Sequence, residues 1–215
     1  MNDQELRDIV QSALEFDPSI DAAHIGVAVE KGIVTLSGHV ATYAQKLSAE
    51  RTVQRLKGVR GIAQEIEVRV PEGKKWADDQ IASRALSIIA WDTALPEGKV
   101  QVKVQKGWVT LSGTVEWFYQ REAAERAVRK LSGVLGTSNL IEVAPSVQAG
   151  DVRERIAEAL RRSAELEAAG IRIAVQGSKV TLSGTVGSLQ EKYAATKAAW
   201  SAPGIAEIEN RLVVG

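Results

Sequence analysis

The heptapeptide Val34-Thr35-Leu36-Ser37-Gly38-His39-Val40 returns as Val109-Thr110-Leu111-Ser112-Gly113-Thr114-Val115, and again as Val180-Thr181-Leu182-Ser183-Gly184-Thr185-Val186. The offsets are about 75 and 71 residues, and they align the flanking segments without gaps. Ile25, Val27 and Val29 fall on Val100, Val102 and Val104, then on Ile171, Ile173 and Val175. Gly58 falls on Gly133 and Gly204, and Ile66 on Ile141 and Leu212. A length of 215 residues suggests one or two domains. The repeat divides it instead into three small units, 1–72, 76–145 and 149–215, joined by the Pro/Gly-punctuated stretches Pro71–Lys75 and Pro145–Gly150.

Each copy has the same order of elements. Leu6, Val10, Ala13 and Leu14 recur at helical spacing, as do Ile81, Ala85, Ile88 and Ile89, and Val152, Ile156, Ala159 and Leu160. Two strands with period-2 alternation follow, turned in the first copy at Glu30-Lys31-Gly32, with Thr35, Ser37 and His39 on the outer face. A second helix is predicted from about Tyr43 to Leu56, with Gly58 suited to a left-handed cap. A third strand carries Ile66 and Val68 inward. The predicted class is α+β: three tandem α-β-β-α-β units, each with two helices on one face of a three-stranded mixed sheet, its third strand parallel to the second. A unit of this size buries only about 60% of its surface, so docking between copies would stabilise it.

The helix, the hairpin ending in V-x-L-S-G-x-V, the second helix, the Gly-Val step and the last apolar strand together resemble the BON domain of bacteria. Similarity to osmotically induced BON-domain proteins implies a non-catalytic module that binds phospholipid or attaches proteins to envelopes. It also implies roles in osmotic-stress protection and, in one branch, potassium binding, which would use backbone carbonyls that a sequence cannot locate.

Composition excludes several other classes. With 27 basic and 27 acidic residues the chain lacks the positive excess of a nucleic-acid binder. There is no cysteine, and His24 and His39 make a poor metal site without companion ligands, so neither a metal nor a cofactor is expected. Ser37, Ser112 and Ser183 lack a nucleophile elbow, and two copies contain no histidine to act as base; no catalytic residue is assigned. Gly38, Gly113 and Gly184 are expected to admit a close helix or a bulge, and Gly58, Gly133 and Gly204 to stop helices. The N-terminus has no basic or apolar signal region and no run spans a bilayer, so the expected location is cytoplasmic, with any membrane contact peripheral.

The tryptophans distinguish the copies. Trp91 aligns with Phe16 and Arg162, Trp108 with Ile33 and Lys179, Trp117 with Thr42 and Ser188, and Trp200 with Gln54 and Arg129. Each position is polar in at least one sister copy, which places these rings outside the common core. Phe118 aligns with Tyr43 and Leu189 and reads as a core or staple residue. Full burial of one Trp contributes up to ~6 kcal/mol, so two interfacial rings can hold a protein reversibly at a bilayer. Net charge is −3, +2 and +1 in copies divided at residues 72 and 146, and the second copy carries Lys99, Lys103 and Lys106. The candidate surface is therefore Trp91, Trp117, Tyr119, Lys99, Lys103 and Lys106, meeting an anionic phospholipid surface or, alternatively, another protein as scaffold or holdase. Oligomeric state is not fixed by any of these features.

Overall fold

The first turn of each unit ties its helix to its hairpin. In the computed structural model, which describes residues 2–73, 76–144, 156, 170–202, 205 and 207–215, helix α1 (Asp3–Phe16) opens on a reciprocal cap. Asn2 Oδ1 accepts the Glu5 N–H at 2.8 Å, and the Glu5 carboxylate accepts the Asn2 N–H at 3.1 Å. Its neighbour Asp3 accepts the N–H groups of Lys31 and Gly32, at 2.7 and 3.0 Å, in the turn between β1 (Ile25–Glu30) and β2 (Ile33–Val40). Lys31 and Gly32 have φ of 51° and 77°, the left-handed pair of a tight hairpin turn. Asp78, at the start of α3 (Asp78–Trp91), repeats the arrangement with Lys106 and Gly107 between β4 (Val100–Gln105) and β5 (Trp108–Val115). A carboxylate holding two converging amides makes a non-glycine φ above zero tolerable there.

After the hairpins come α2 (Tyr43–Gln54) and β3 (Gly61–Val68), then α4 (Phe118–Val128) and β6 (Gly136–Val143). The third unit shows β7 (Ile171–Gln176), β8 (Lys179–Val186), α5 (Leu189–Trp200) and β9 (Glu207–Val214). Its expected first helix lies outside the described residues except for Ile156, which is fully buried. All three sheets run first-second-third strand, the hairpin antiparallel and the third strand parallel to the second, as the repeat predicts. In the first unit Leu6, Val10 and Leu14 of α1 and Ala49 and Val53 of α2 close on Val34, Leu36, Val40 and Ile66. Each large side chain buried this way contributes about 1.5–3 kcal/mol.

The motif glycines have a different cause from the expected one. Gly38, Gly113 and Gly184 have φ of 104°, 131° and 130°, and a Cβ on any of them would strike the carbonyl oxygen of the residue before the unit's first strand: His24, Lys99 or Gly170. Pairing continues through them, Ile25 opposite Gly38 for example, so they are neither bulges nor helix-packing sites. Gly58 and Gly133, with φ of 88° and 89°, shape the turn into the last strand; the helices have already ended at Gln54 and Val128, short of the Leu56 expected for the first. Gly204 lies outside the described residues.

The units dock head to tail. Phe118, expected as a core or staple residue of its own unit, stacks on Trp200 of the third unit, with ring centroids 4.7 Å apart and planes 5° from parallel. Its counterpart Tyr43 packs on the core of the second unit, its Oη 3.3 Å from Thr137 Oγ1, and Leu189 packs on the core of the first. As the first residue of its helix, each sits at the end of its own sheet and faces the next unit. Three equivalent contacts of one kind close a pseudo-threefold ring, the cyclic outcome of a heterologous interface. The second helices α2, α4 and α5 line a cavity of about 630 Å³ that is open to solvent on one side.

Candidate functional site

Strand direction sorts the six expected residues by position. Val100 pairs with Gly113 in antiparallel β4 and β5, so Lys99, just before β4, lies at the same end of the unit as Trp117 and Tyr119, just after β5. Helix α3 starts at the opposite end, where Asp78 holds the hairpin turn, and runs back so that Trp91 reaches the Lys99 end. Lys106 occupies that far turn, a six-residue strand or ~20 Å away. Lys103, opposite Thr110, points from the helix-free face of the sheet. The structure therefore brings together Trp91, Trp117, Tyr119 and Lys99, and separates Lys103 and Lys106 from them.

The three rings are 86%, 42% and 54% exposed. Lys99 stands near exposed Glu97 and Glu116, so this end has no positive surplus. The position matching Trp91 in the first unit, Phe16, is 91% exposed, a residue the sequence reading passed over although the register aligns it with Trp91.

Trp117 is also a costly choice for its backbone position. It is the N-cap of α4 and makes no side-chain cap bond. The equivalent Thr42 and Ser188 hydroxyls accept the N–H of Gln45 and Glu191 at 3.2 and 3.1 Å. Losing such a cap costs about 0.5–2 kcal/mol. Gln120 makes the return half of the cap, its Oε1 accepting the N–H groups of Glu116 and Trp117, both at 3.1 Å. The second unit thus keeps the half of the cap that faces inward and replaces the outward half with an exposed indole.

The other tryptophans serve the architecture or the sheet. Trp76 packs on the second core beneath the Arg84 guanidinium, 3.4 Å from the ring centroid, and pins the linker. Trp200 lies in the Phe118 stack between units. Trp108, 49% exposed, lies across Gly136 on the helix-free face, and its indole N–H donates to Ser138 Oγ at 2.8 Å. His24 and His39 stack on each other with centroids 4.6 Å apart, and among the described residues no group of three or more His, Asp or Glu side chains is placed to hold a metal.

Three copies of one small unit, closed on one another and differing at their exposed ends, define a tandem protein of repeated modules. The chain belongs to the BON domain family, whose model matches residues 2–70, 77–145 and 148–215. It is related to the Osmotically-inducible protein Y of Escherichia coli (strain K12), with 30% identity over 143 residues, 65% of this chain and 71% of that protein. Among solved structures it is similar at 14% identity to CdsD, a structural protein of the type III secretion system of Chlamydia trachomatis, over 98% of this chain and 92% of that one, at a TM-score of 0.27. The C-terminal domain of CdsD gives the same identity and score over the whole of both chains. No described helix is long and apolar enough to cross a membrane.

Proposed function

We propose that the protein is a non-catalytic binding protein of the osmotic-stress type, attaching peripherally to phospholipid through the Trp91–Trp117–Tyr119 end of its second unit. The carrying observation is the exposed indole of Trp117 at a helix cap where both sister copies place a capping hydroxyl. Local rules broken at an exposed position mark function more often than fold. Indole and phenol rings suit the headgroup level of a bilayer, apolar in body and polar at the tip. Of the three lysines only Lys99 joins them, at ~1 kcal/mol for a basic residue near an anionic surface, so the rings supply most of the attachment. The salt dependence of binding should accordingly be shallow.

Trp117→Ser tests this with two opposed readouts. Restoring the sister residue should raise stability to urea by about 0.5–2 kcal/mol while weakening co-sedimentation with phosphatidylglycerol vesicles. Wild-type protein that stays in the supernatant, or a Trp117→Ser variant that binds as well as wild type, would sink the proposal. Subcellular fractionation of the native protein reads the expected cytoplasmic location directly.

One observation favours a protein partner as the second reading. The helix-free face of the second sheet presents Trp108 and Leu140, the latter 64% exposed, with Thr110 and Ser112 between them. Binding to a folded or unfolded client that is lost in Trp108→Thr and kept in Trp117→Ser would select that reading.

A further inference from the structure

We propose that the cavity lined by the second helices is a binding site for a compact anion carrying two or more phosphoryl groups, independent of the aromatic end. The register of the repeat places Arg51, Arg126 and Lys197 at one position of the three second helices, so each unit contributes one cation to the same level of the ring. Arg129, the C-cap residue of α4, joins them. In all, six basic and three acidic side chains line the cavity, in a chain with equal numbers of each.

The carboxylates present are engaged with hydroxyl and amide donors, and among the described residues only Lys197 of the three ring cations has one within 4 Å. Glu122 accepts the Tyr193 O–H at 2.9 Å and lies 3.7 Å from Lys197 Nζ. Glu125 accepts from Thr137 Oγ1 and Asn139 Nδ2 at 3.3 and 3.2 Å, and Glu50 accepts from Gln54 at 3.1 Å. Among the described residues, Arg51, Arg126 and Arg129 have no carboxylate within salt-bridge distance. Burial holds the Arg129 guanidinium below its ordinary value, and the charge of Arg51, from another unit, pushes the same way against the opposing pull of Glu125. Guanidinium groups lining one cavity with no carboxylate at salt-bridge distance are a ready site for the planar, bidentate recognition of phosphate oxygens.

Size narrows the class. A cavity of about 630 Å³ lies within the range of small-molecule sites and is far larger than one phosphate requires. Three cations around a pseudo-threefold axis match an anion whose charges are spread over several phosphoryl groups. A free polyphosphate and a lipid headgroup bearing two or more phosphomonoester groups share this chemistry.

Isothermal titration of the full chain with sodium tripolyphosphate, in chelator-containing buffer, is the test. The expected result is saturable one-to-one binding, weakened about tenfold by each of Arg51→Gln and Arg126→Gln, the loss expected for one charge-assisted bond. Lys57→Gln, on the surface outside the cavity, should bind as wild type, and Trp117→Ser should too, which separates this site from the lipid reading. Thermal melts without ligand should show the arginine variants at least as stable as wild type, because they remove like charges. No saturable heat, or equal affinity in Arg51→Gln, Arg126→Gln and Lys57→Gln, would overturn the proposal. A parallel arm with phosphatidylcholine vesicles containing phosphatidylinositol bisphosphate assigns the source: loss in the arginine variants there means a headgroup enters, and loss with tripolyphosphate alone means a soluble anion.

Discussion

The hairpins and the second helices of the three units obey different constraints. At the hairpin, Val34, Val109 and Val180 are all fully buried, Leu36, Leu111 and Leu182 likewise, and the three motif glycines hold one strained backbone geometry. At the start of the second helix, the cap position is Thr42, Trp117 or Ser188, and one turn further the ring-facing position is Leu47, Glu122 or Tyr193. At these hairpin positions close packing leaves one acceptable residue. Between units and at their ends, the same backbone supports different side chains. In this chain the copied part specifies the fold, and the part that differs is where binding can be specialised.

The largest effect should come from the copied part. Gly113→Ala places a methyl group on the Lys99 carbonyl at a φ of 131°. A loss of about 3 kcal/mol or more in urea unfolding is expected, since strain and overlap add. If the hairpin absorbs the change for less than 1 kcal/mol, the sameness of the three copies has some cause other than sterics.

Phe118→Ala should cost less, about 1 kcal/mol or more, because it removes a ring stack and leaves each unit's own core whole. Its signature is loss of coupling: the second and third units should unfold at separate denaturant midpoints, where wild type shows one. Trp117→Ser should act in the opposite direction and stabilise, as the restored cap requires.

The smallest effect is a dependence on pH. Burial raises the Tyr193 hydroxyl above its ordinary value, and the Glu122 carboxylate adds to that shift. A group whose folded value is raised contributes stability that is fully present below its unfolded value, near pH 10, and is lost as pH rises through the folded value. Alkaline melts of wild type should fall in that window, and Tyr193→Phe should flatten the decline.

These differences also explain what was legible in the sequence. Period-2 alternation and the recurring Val-x-Leu-Ser-Gly identified the hairpins, because buried faces restrict residue type position by position. The glycines were marked by recurrence, but their cause, a carbonyl approaching from the residue before the neighbouring strand, requires the pairing register. Asp3 and Asp78 align at the repeat offset, yet an acidic first turn reads as ordinary helix-dipole charge, and the hairpin amides they hold are 28 and 29 residues away. Phe118, Tyr43 and Leu189 looked like core because apolar identity does not say whose core. Alternation put Lys103 on a face but could not say which end Lys106 occupies, since ends depend on strand order and direction. Arg51, Arg126 and Lys197 converge only because the ring closes.

Insertion of the aromatic end is read most directly by tryptophan quenching on phosphatidylglycerol vesicles with bromine-labelled acyl chains. Wild-type emission should be quenched as vesicles are added, and Trp91→Phe combined with Trp117→Ser should lose most of that quenching, since Trp76 and Trp200 are packed within the ring and Trp108 faces elsewhere. Emission that ignores the brominated lipid, or quenching unchanged in the double variant, would contradict attachment through this end.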